Sequence, residues 1–325
     1  MSRRIAAVVN PYAAEGRAGR LWPQMALRLR ERLGAFTERR TDSSGHATRI
    51  TRELIESGFD LIVAVGGDGT VSEVANGFLR EDEPLRPEAQ LGILPVGTGS
   101  DFQRTTGIPS DPDAAIEILA GGKPLAIDVG KARFVAPNGR AAERYFINLA
   151  SFGMGGAVAA RAKNLLTAVS GKAGFFWATL KTLATFCGRH VELDLDDDGR
   201  VLSFFVLNVA VGNGRFHGGG MHPCPRALLN DGLLDVTVID YLNPWEVVRD
   251  ISVLYSEDVY RHPKVHHLRA RRVKARATRP TWIEVDGEPL GRLPLEIEVL
   301  PRRIPLLLSP SSPLFETTAG NASIN

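Results

Sequence analysis

Cysteine is nearly absent: Cys187 and Cys224 are the two thiols in 325 residues. Two thiols cannot build a disulfide framework, and neither stands at a metal-ligand spacing, so a stapled secreted scaffold is excluded and a reducing compartment fits. Long apolar runs are also missing. No segment reaches the about 18 uncharged apolar residues that a membrane-crossing helix needs. The longest apolar stretch, Gly174 to Gly188, is broken by Lys181 and reads as a core helix. Ile5 to Val9, after Arg3 and Arg4, is too short for a leader peptide and reads as a first strand. Excess charge of one sign is lacking: 39 Lys and Arg face 37 Asp and Glu, a net of +2, which removes nucleic acid as the default partner. The histidines show no HExxH-like spacing, which argues against zinc. No repeat of solenoid period is visible.

What is present falls into two halves with different patterning. Residues 1–125 alternate strand and helix. Strands are expected at Ile5–Val9, Ala35–Thr41, Leu61–Val65 and Leu91–Pro95. Helices are expected at Gly19–Leu33, His46–Ser57, Val71–Leu79 and Pro112–Ala120, the last capped by Asp111. Uninterrupted apolar strands alternating with amphipathic helices predict a doubly wound, Rossmann-like α/β domain, with ligands at the carboxyl ends of the strands. Residues 126–308 instead read as closely spaced strands: Tyr145–Ala150, His190–Asp196, Val201–Val211, Leu234–Ile239, Val265–Ala275, Trp282–Asp286 and Leu295–Leu300. Tight-turn signals join several of them, so an antiparallel β-sandwich or barrel is expected, with helices inserted around 158–187 and 244–258. The run Ile304–Leu308 fits either half, and the polar stretch 309–325 reads as a flexible tail.

Chemistry concentrates at two glycine bends. Gly66-Gly67-Asp68-Gly69-Thr70 follows a strand and opens a helix, so its amides and the helix N-terminus converge on one spot suited to an anion, phosphate above all. It is neither a Walker loop nor a G-x-G-x-x-G fingerprint. The carboxylate of Asp68 suits phosphate only with a divalent cation between them, which Mg²⁺ satisfies; otherwise Asp68 simply bonds loop amides. Gly97-Thr98-Gly99, followed by Asp101 and Arg104, repeats the arrangement after the next strand. Asn10-Pro11, with Gly16, Arg17, Gly19 and Arg20 behind it, is a third candidate loop.

These residues resemble the diacylglycerol kinase catalytic family of soluble bacterial lipid kinases and sphingosine kinase-like enzymes. The resemblance rests on Asn10-Pro11, Thr41 with Gly45-His46-Ala47-Thr48, the Gly66–Gly77 run, Gly97–Phe102, Asn148–Gly153, Gly212–Val236 and Val285-Asp286-Gly287-Glu288. It runs in order along almost the whole chain. It implies a nucleotide-binding α/β domain joined to a β-rich lipid domain, with the active site in the interdomain cleft. Asn10, Thr41, Gly66, Gly67, Asp68, Gly69, Thr70, Val71, Ser72 and Thr98 would line an ATP site. Asp286 would be the general base on the lipid hydroxyl. Asp231, with the carbonyls of Leu228 and Leu233, would hold a structural Mg²⁺. Asp68 and Asp101 would arrange catalytic Mg²⁺ and phosphates, with support from Asp128. Two departures stand out: Tyr12-Ala13-Ala14-Glu15 delays the glycine after Asn-Pro, and Ser100 stands where the family commonly has Asn.

The function expected is ATP-dependent transfer of a phosphoryl group to the hydroxyl of diacylglycerol, a sphingoid base or a related membrane lipid. The alternatives are a kinase of the NAD kinase or phosphofructokinase type acting on a soluble acceptor, and a nucleotide-binding regulator without catalysis. A cytoplasmic protein, peripheral at the membrane, is expected. Arg261 to Arg279 carries eight Lys or Arg, three His and no acid, which reads either as a docking strip for an anionic lipid surface or as a solvated sheet face. Oligomeric state is left open, a homodimer included.

Overall fold

The computed structural model describes residues 3–96, 100–165, 179 and 181–315. They form two compact units, the first of residues 1–129, 229–232 and 300–325, the second of residues 130–228 and 233–299. The expected division at 125 and 308 thus differs from the observed one, because both the turn at 229–232 and the last strand residues return to the first unit.

The first unit is built on parallel strands: β1 (Ile5–Val9), β2 (Thr37–Arg40), β3 (Leu61–Gly66) and β6 (Gln90–Pro95), with the short hairpin β4 (Leu79–Arg80) and β5 (Glu83–Pro84) between. Their order is β2-β1-β3-β6, extended by a parallel pairing of Leu91 with Leu306 in the final strand. β1 and β3 are buried throughout, as parallel strands covered on both faces must be. Helices α1 (Arg17–Leu33) and α5 (Pro112–Gly121) pack together, as do α2 (His46–Glu56) and α3 (Asp68–Asn76). The cap expected at Asp111 is present, its carboxylate accepting from Ala114 N at 2.9 Å.

The α2–α3 seam is tight because Gly77 lies against α2. A Cβ there would come within 2.4 Å of Thr51 Cβ and 2.8 Å of Thr48 O. Gly77→Ala should therefore cost about 1–3 kcal/mol by overpacking, seen as a lowered midpoint in denaturant unfolding with an unchanged m value.

The second unit is built on antiparallel pairs. β11 (Val201–Gly212) is its hub. Its first half pairs with β10 (Arg189–Leu195), its second with β9 (Leu149–Gly153), and its other edge carries β12 (Leu234–Asp240). A register shift between Val206 and Asn208 marks where the strand bends, as a bulge does when one strand serves two layers. β13 (Val265–Ala270) pairs with β12, and β14 (Arg272–Ala277) pairs with β10 and with β16 (Glu288–Leu308). β15 (Trp282–Val285) closes on β9 and β16, and β8 (Ala141–Phe146) on β7 (Lys123–Val135). Phe134, Phe146, Phe152 and a set of Val, Ile and Leu side chains fill the core between them.

Several sequence expectations need correction. Val265–Ala275 is two strands that break at Arg271, since Asp196 accepts from both Arg271 N and Arg272 N at 2.7 Å and pins a turn there. Tyr145–Ala150 is likewise split at Ile147-Asn148. The α3 helix begins at Asp68 instead of Val71 and β3 runs to Gly66, so Gly67 alone forms the bend between them. The expected 158–187 helical region begins earlier, with α6 (Met154–Leu165); most of the expected Gly174–Gly188 helix lies outside the described residues. The region 244–258 holds α7 (Pro244–Asp250) followed by 3-10 turns at Ile251–Tyr255 and Glu257–Arg261. Ser309 to Phe315, expected as the start of a tail, is ordered enough to bury Ser312 and Leu314.

Candidate active-site elements

In the first unit the starts of two helices meet. Asp68 is the first residue of α3, and its carboxylate accepts from Asp101 N at 3.0 Å and Phe102 N at 3.2 Å, the first amides of α4 (Asp101–Thr106). Asp68 therefore satisfies the first amides of α4 from the start of α3. Gly67 at the N-cap has no side chain to offer, so the first turn of α3 is without a side-chain cap; its amides and dipole remain available to an anion. Gly66 is dictated by packing, since a Cβ would stand 2.4 Å from Thr70 Oγ1, whereas a Cβ on Gly69 would meet open space. Asn10, at the end of β1, donates from Nδ2 to Thr70 Oγ1 at 3.0 Å and accepts from Tyr12 N at 3.0 Å. Ala14, Glu15 and Gly16 that follow all have left-handed backbone, which is how the extra residues after Asn10-Pro11 are taken up. Thr41, buried at the end of β2, donates its amide to Val9 O at 2.9 Å.

Val71 and Ser72 are buried within α3. Asp101 is buried and paired with Arg104 at 2.9 Å. Thr98, with Gly97 and Gly99, lies outside the described residues. Glu73 was not singled out from sequence as a functional group. Its carboxylate reaches from α3 to the start of α2, accepting from Gly45 N at 2.8 Å and Ala47 N at 3.2 Å. Thr48 Oγ1 donates to Glu73 O at 2.8 Å. Glu73 thus caps α2 and fixes the Gly45-His46 corner against α3. No local pattern announces a cap supplied from 26 or more positions away.

Asp128 lies in the same unit, fully buried. It accepts from Gly232 N and Arg302 N, each at 2.7 Å, and donates its own amide to Leu229 O. Burial pushes its carboxyl up to about 6, and the charge of Asp231 adds to the rise. Its contacts bind it to the Asn230-Asp231-Gly232 turn, where Gly232 is left-handed, so it holds Asp231 in place. The donors at this turn, carboxylates and backbone carbonyls, are all hard oxygens of the kind Mg²⁺ takes. Among the described residues no group of three or more His, Cys, Asp or Glu could hold a metal, so any such site here must draw on carbonyls.

The second unit holds Asp286. With Gly287 it forms a two-residue hairpin turn, φ being positive at both, as a type I′ turn requires. The Asp286 carboxylate accepts from three amides in a row: Ile147 N at 3.3 Å, Asn148 N at 3.2 Å and Leu149 N at 3.1 Å. Its own amide donates to Leu149 O at 2.8 Å. The interruption between β8 and β9 exists to present those amides. Two residues earlier, the buried Glu284 accepts from Ser151 Oγ at 2.7 Å and pairs with His217 Nε2 at 2.8 Å. Asn148 Nδ2 donates to Phe216 O at 3.0 Å and Asn213 Nδ2 to Ile147 O at 2.9 Å, so the 213–217 loop is tied to the same corner. Glu284 and His217 are residues that sequence reading missed as a pair; only their separate places in strand and loop were visible.

The two thiols differ sharply. Cys224 is buried, and burial pushes its thiol up to about 12, while Cys187 is exposed. Native protein treated with iodoacetamide near neutral pH should gain one label, on Cys187, and a second only after denaturation, as intact mass would show.

The chain matches the diacylglycerol kinase catalytic domain over residues 4–132 and the YegS C-terminal NAD kinase beta sandwich-like domain over residues 148–308. It is 33% identical over 88% of its length to a "Probable lipid kinase YegS-like" of Pseudomonas putida, covering 90% of that protein. It is 28% identical over 90% of its length to a diacylglycerol kinase of Staphylococcus saprophyticus, covering 92% of it. Among solved structures, a diacylglycerol kinase from Bacillus anthracis str. Sterne shares the fold at a TM-score of 0.70 and 24% identity, with 95% of this chain and 98% of that one covered. Yeast NADH kinase shares it more distantly, at a TM-score of 0.51 and 11% identity over 100% of this chain and 89% of that one.

Proposed function

The chain belongs to the diacylglycerol kinase catalytic family, and from that premise we propose that it transfers the γ-phosphoryl group of ATP to the hydroxyl of a membrane lipid. The observation that carries this reading is the bridge from Asp68 to the amides of Asp101 and Phe102. It puts a fixed carboxylate beside the uncapped start of α3, where the strands end. Phosphoryl transfer asks a protein mainly for alignment and for neutralisation of charge on the phosphate oxygens. The α3 amides bind phosphate, Asn10 and Thr70 hold the β1 loop to them, and Asp68 fixes the start of α4 at Asp101. Mg²⁺, when bound, supplies positive charge to the phosphates, and Asp231 with the carbonyls of Leu228 and Leu233 is the set that would hold a structural ion. Asp286 accepts the proton from the acceptor hydroxyl as its oxygen bonds to phosphorus and ADP departs. The protein is expected to work in the cytoplasm and to meet its acceptor at a membrane surface.

The test is incubation with labelled ATP, Mg²⁺ and a total lipid extract dispersed in detergent micelles, with NAD and sugar phosphates offered in parallel. A single labelled class of lipid phosphate is the expected product. Label in the soluble acceptors alone would sink the lipid assignment in favour of the NAD kinase type of reaction.

A further inference from the structure

Large apolar side chains exposed to solvent are few among the described residues: Tyr12, Leu27, Val201, Phe205, Trp245, Val248, Ile251 and Tyr255. Four of the eight fall within α7 and the 3-10 turn after it, in the second unit. Trp245 is 84% exposed, Val248 59%, Ile251 46% and Tyr255 54%. Their spacing of three, three and four residues places them along one side of a helical segment. The other side is anchored. Val247 packs with Leu207, Ile239 and Leu242, and Leu254 joins the same cluster. Asn243 and Glu246 form a capping box that fixes where the helix starts. Phe205, 42% exposed, packs its ring at a tilt against Tyr241, with centroids 5.2 Å apart, just ahead of that cap.

Charge around this ridge is balanced. Glu246 pairs with Lys264, Asp250 with Arg249 and His262, and Asp258 with Arg261. Four acids and three fixed cations plus His262 lie between Pro244 and Lys264, so the collar is near neutral. That distinguishes it from the basic run 261–279, much of which is already neutralised in the fold. Arg272 and Lys274 are bound to Asp197, Arg272 also to Glu298, and Arg269 to Asp235.

We infer that the Trp245, Val248, Ile251 and Tyr255 ridge is a membrane-docking surface, seated in the headgroup and upper acyl layer of a bilayer. The inference rests on the lipid-kinase reading for its partner: no helix among the described residues is long and apolar enough to cross a membrane, so an enzyme acting on a bilayer lipid must meet it with a surface. Trp and Tyr at the ends of an apolar strip match the interface, where an apolar ring body and a polar edge are both satisfied. A neutral collar matches zwitterionic headgroups and needs no anionic lipid. Docking is then driven by apolar burial and not by counterion release, and it tolerates salt.

The test uses vesicles of phosphatidylcholine alone, with no diacylglycerol or other acceptor present, in a flotation assay at low and high salt. Parent protein should bind equally, within about twofold, at ~0.1 and ~0.5 M salt. Trp245→Ser combined with Val248→Ser and Ile251→Ser should weaken partitioning by about tenfold or more, with unchanged far-UV dichroism and unchanged turnover on micelle-dispersed acceptor. Should the triple variant fold poorly, Trp245→Phe in the intact chain gives the second readout: brominated lipid should quench less of its emission than of the parent's. Arg276→Gln with Arg279→Gln should bind like the parent. Absence of parent binding, binding lost with salt or with the arginines instead, or a ridge variant whose only change is from dimer to monomer would each overturn the inference. A chain that binds vesicles through the ridge but phosphorylates no lipid sinks the kinase reading alone; one that phosphorylates micellar lipid without binding vesicles sinks the docking surface alone.

Discussion

Asp286→Asn should retain its fold and its affinity for ATP while turnover falls by about 10²–10⁴-fold, the contribution typical of a positioned general base. The substitution is a clean probe because of the backbone it sits on. Asp286 has φ of 47° and precedes a left-handed Gly287, and Asn-Gly is the pair that such a turn tolerates best. The carboxamide oxygen can still accept from Asn148 N and Leu149 N, as Oδ1 does now. The loss is the acceptor for Ile147 N, at present bonded to the other carboxylate oxygen at 3.3 Å. One unsatisfied amide costs about 1–3 kcal/mol if buried, so a modest drop in melting temperature is expected. Ala would be a poorer choice, since it would leave all three amides without their acceptor and put at a left-handed position a residue lacking the polar side chain by which Asp and Asn tolerate it. Steady-state kinetics with saturating ATP decide the matter: turnover within about threefold of the parent would remove Asp286 from the reaction.

The second large effect belongs to Asp68. Asp68→Ala removes the acceptor for two amides at once, Asp101 N and Phe102 N. It also removes a negative charge from the first turn of α3, where it complements the helix dipole. The stability cost should be about 1–3 kcal/mol, as for other lost caps. The larger consequence should be kinetic. With the starts of α3 and α4 uncoupled, the α3 amides are no longer fixed relative to Asp101, and on the proposed function kcat/KM for ATP should fall by about 10²-fold or more, the scale seen when one preorganised electrostatic group is lost. Calorimetric titration with ATP and Mg²⁺ separates the two roles. A lowered melting temperature with ATP affinity and turnover intact would reduce Asp68 to a cap on α4.

Both sites were partly readable in the amino-acid order, for local reasons. Apolar runs followed by glycine announced β3, with the bend after it, and β6, and Asp286-Gly287 announced a hairpin. The Asp111 cap followed from its position before Pro112. What escaped reading was set by partners far away in sequence. Glu73 looks like an ordinary acid on a helix until α2 arrives with two amides to satisfy. Val265–Ala275 alternates like one strand, yet Asp196 breaks it at Arg271 from 75 residues away. β7 (Lys123–Val135) was missed because Asp128 and Lys131 interrupt its apolar run. Both are buried, Asp128 by the turn it holds and Lys131 through its pairing with Glu143. Polar residues inside a strand look like loop until their partners are known.

The pairing of Leu91 with Leu306 has a consequence for biosynthesis. Four parallel strands of the first unit leave the ribosome within the first hundred residues, but the segment that covers the flank of β6 is made some two hundred residues later. Until then that flank offers bare amides and carbonyls to any other nascent chain. A guard for it, whether a chaperone or slow early collapse, is needed for as long as translation of the intervening β-rich unit takes.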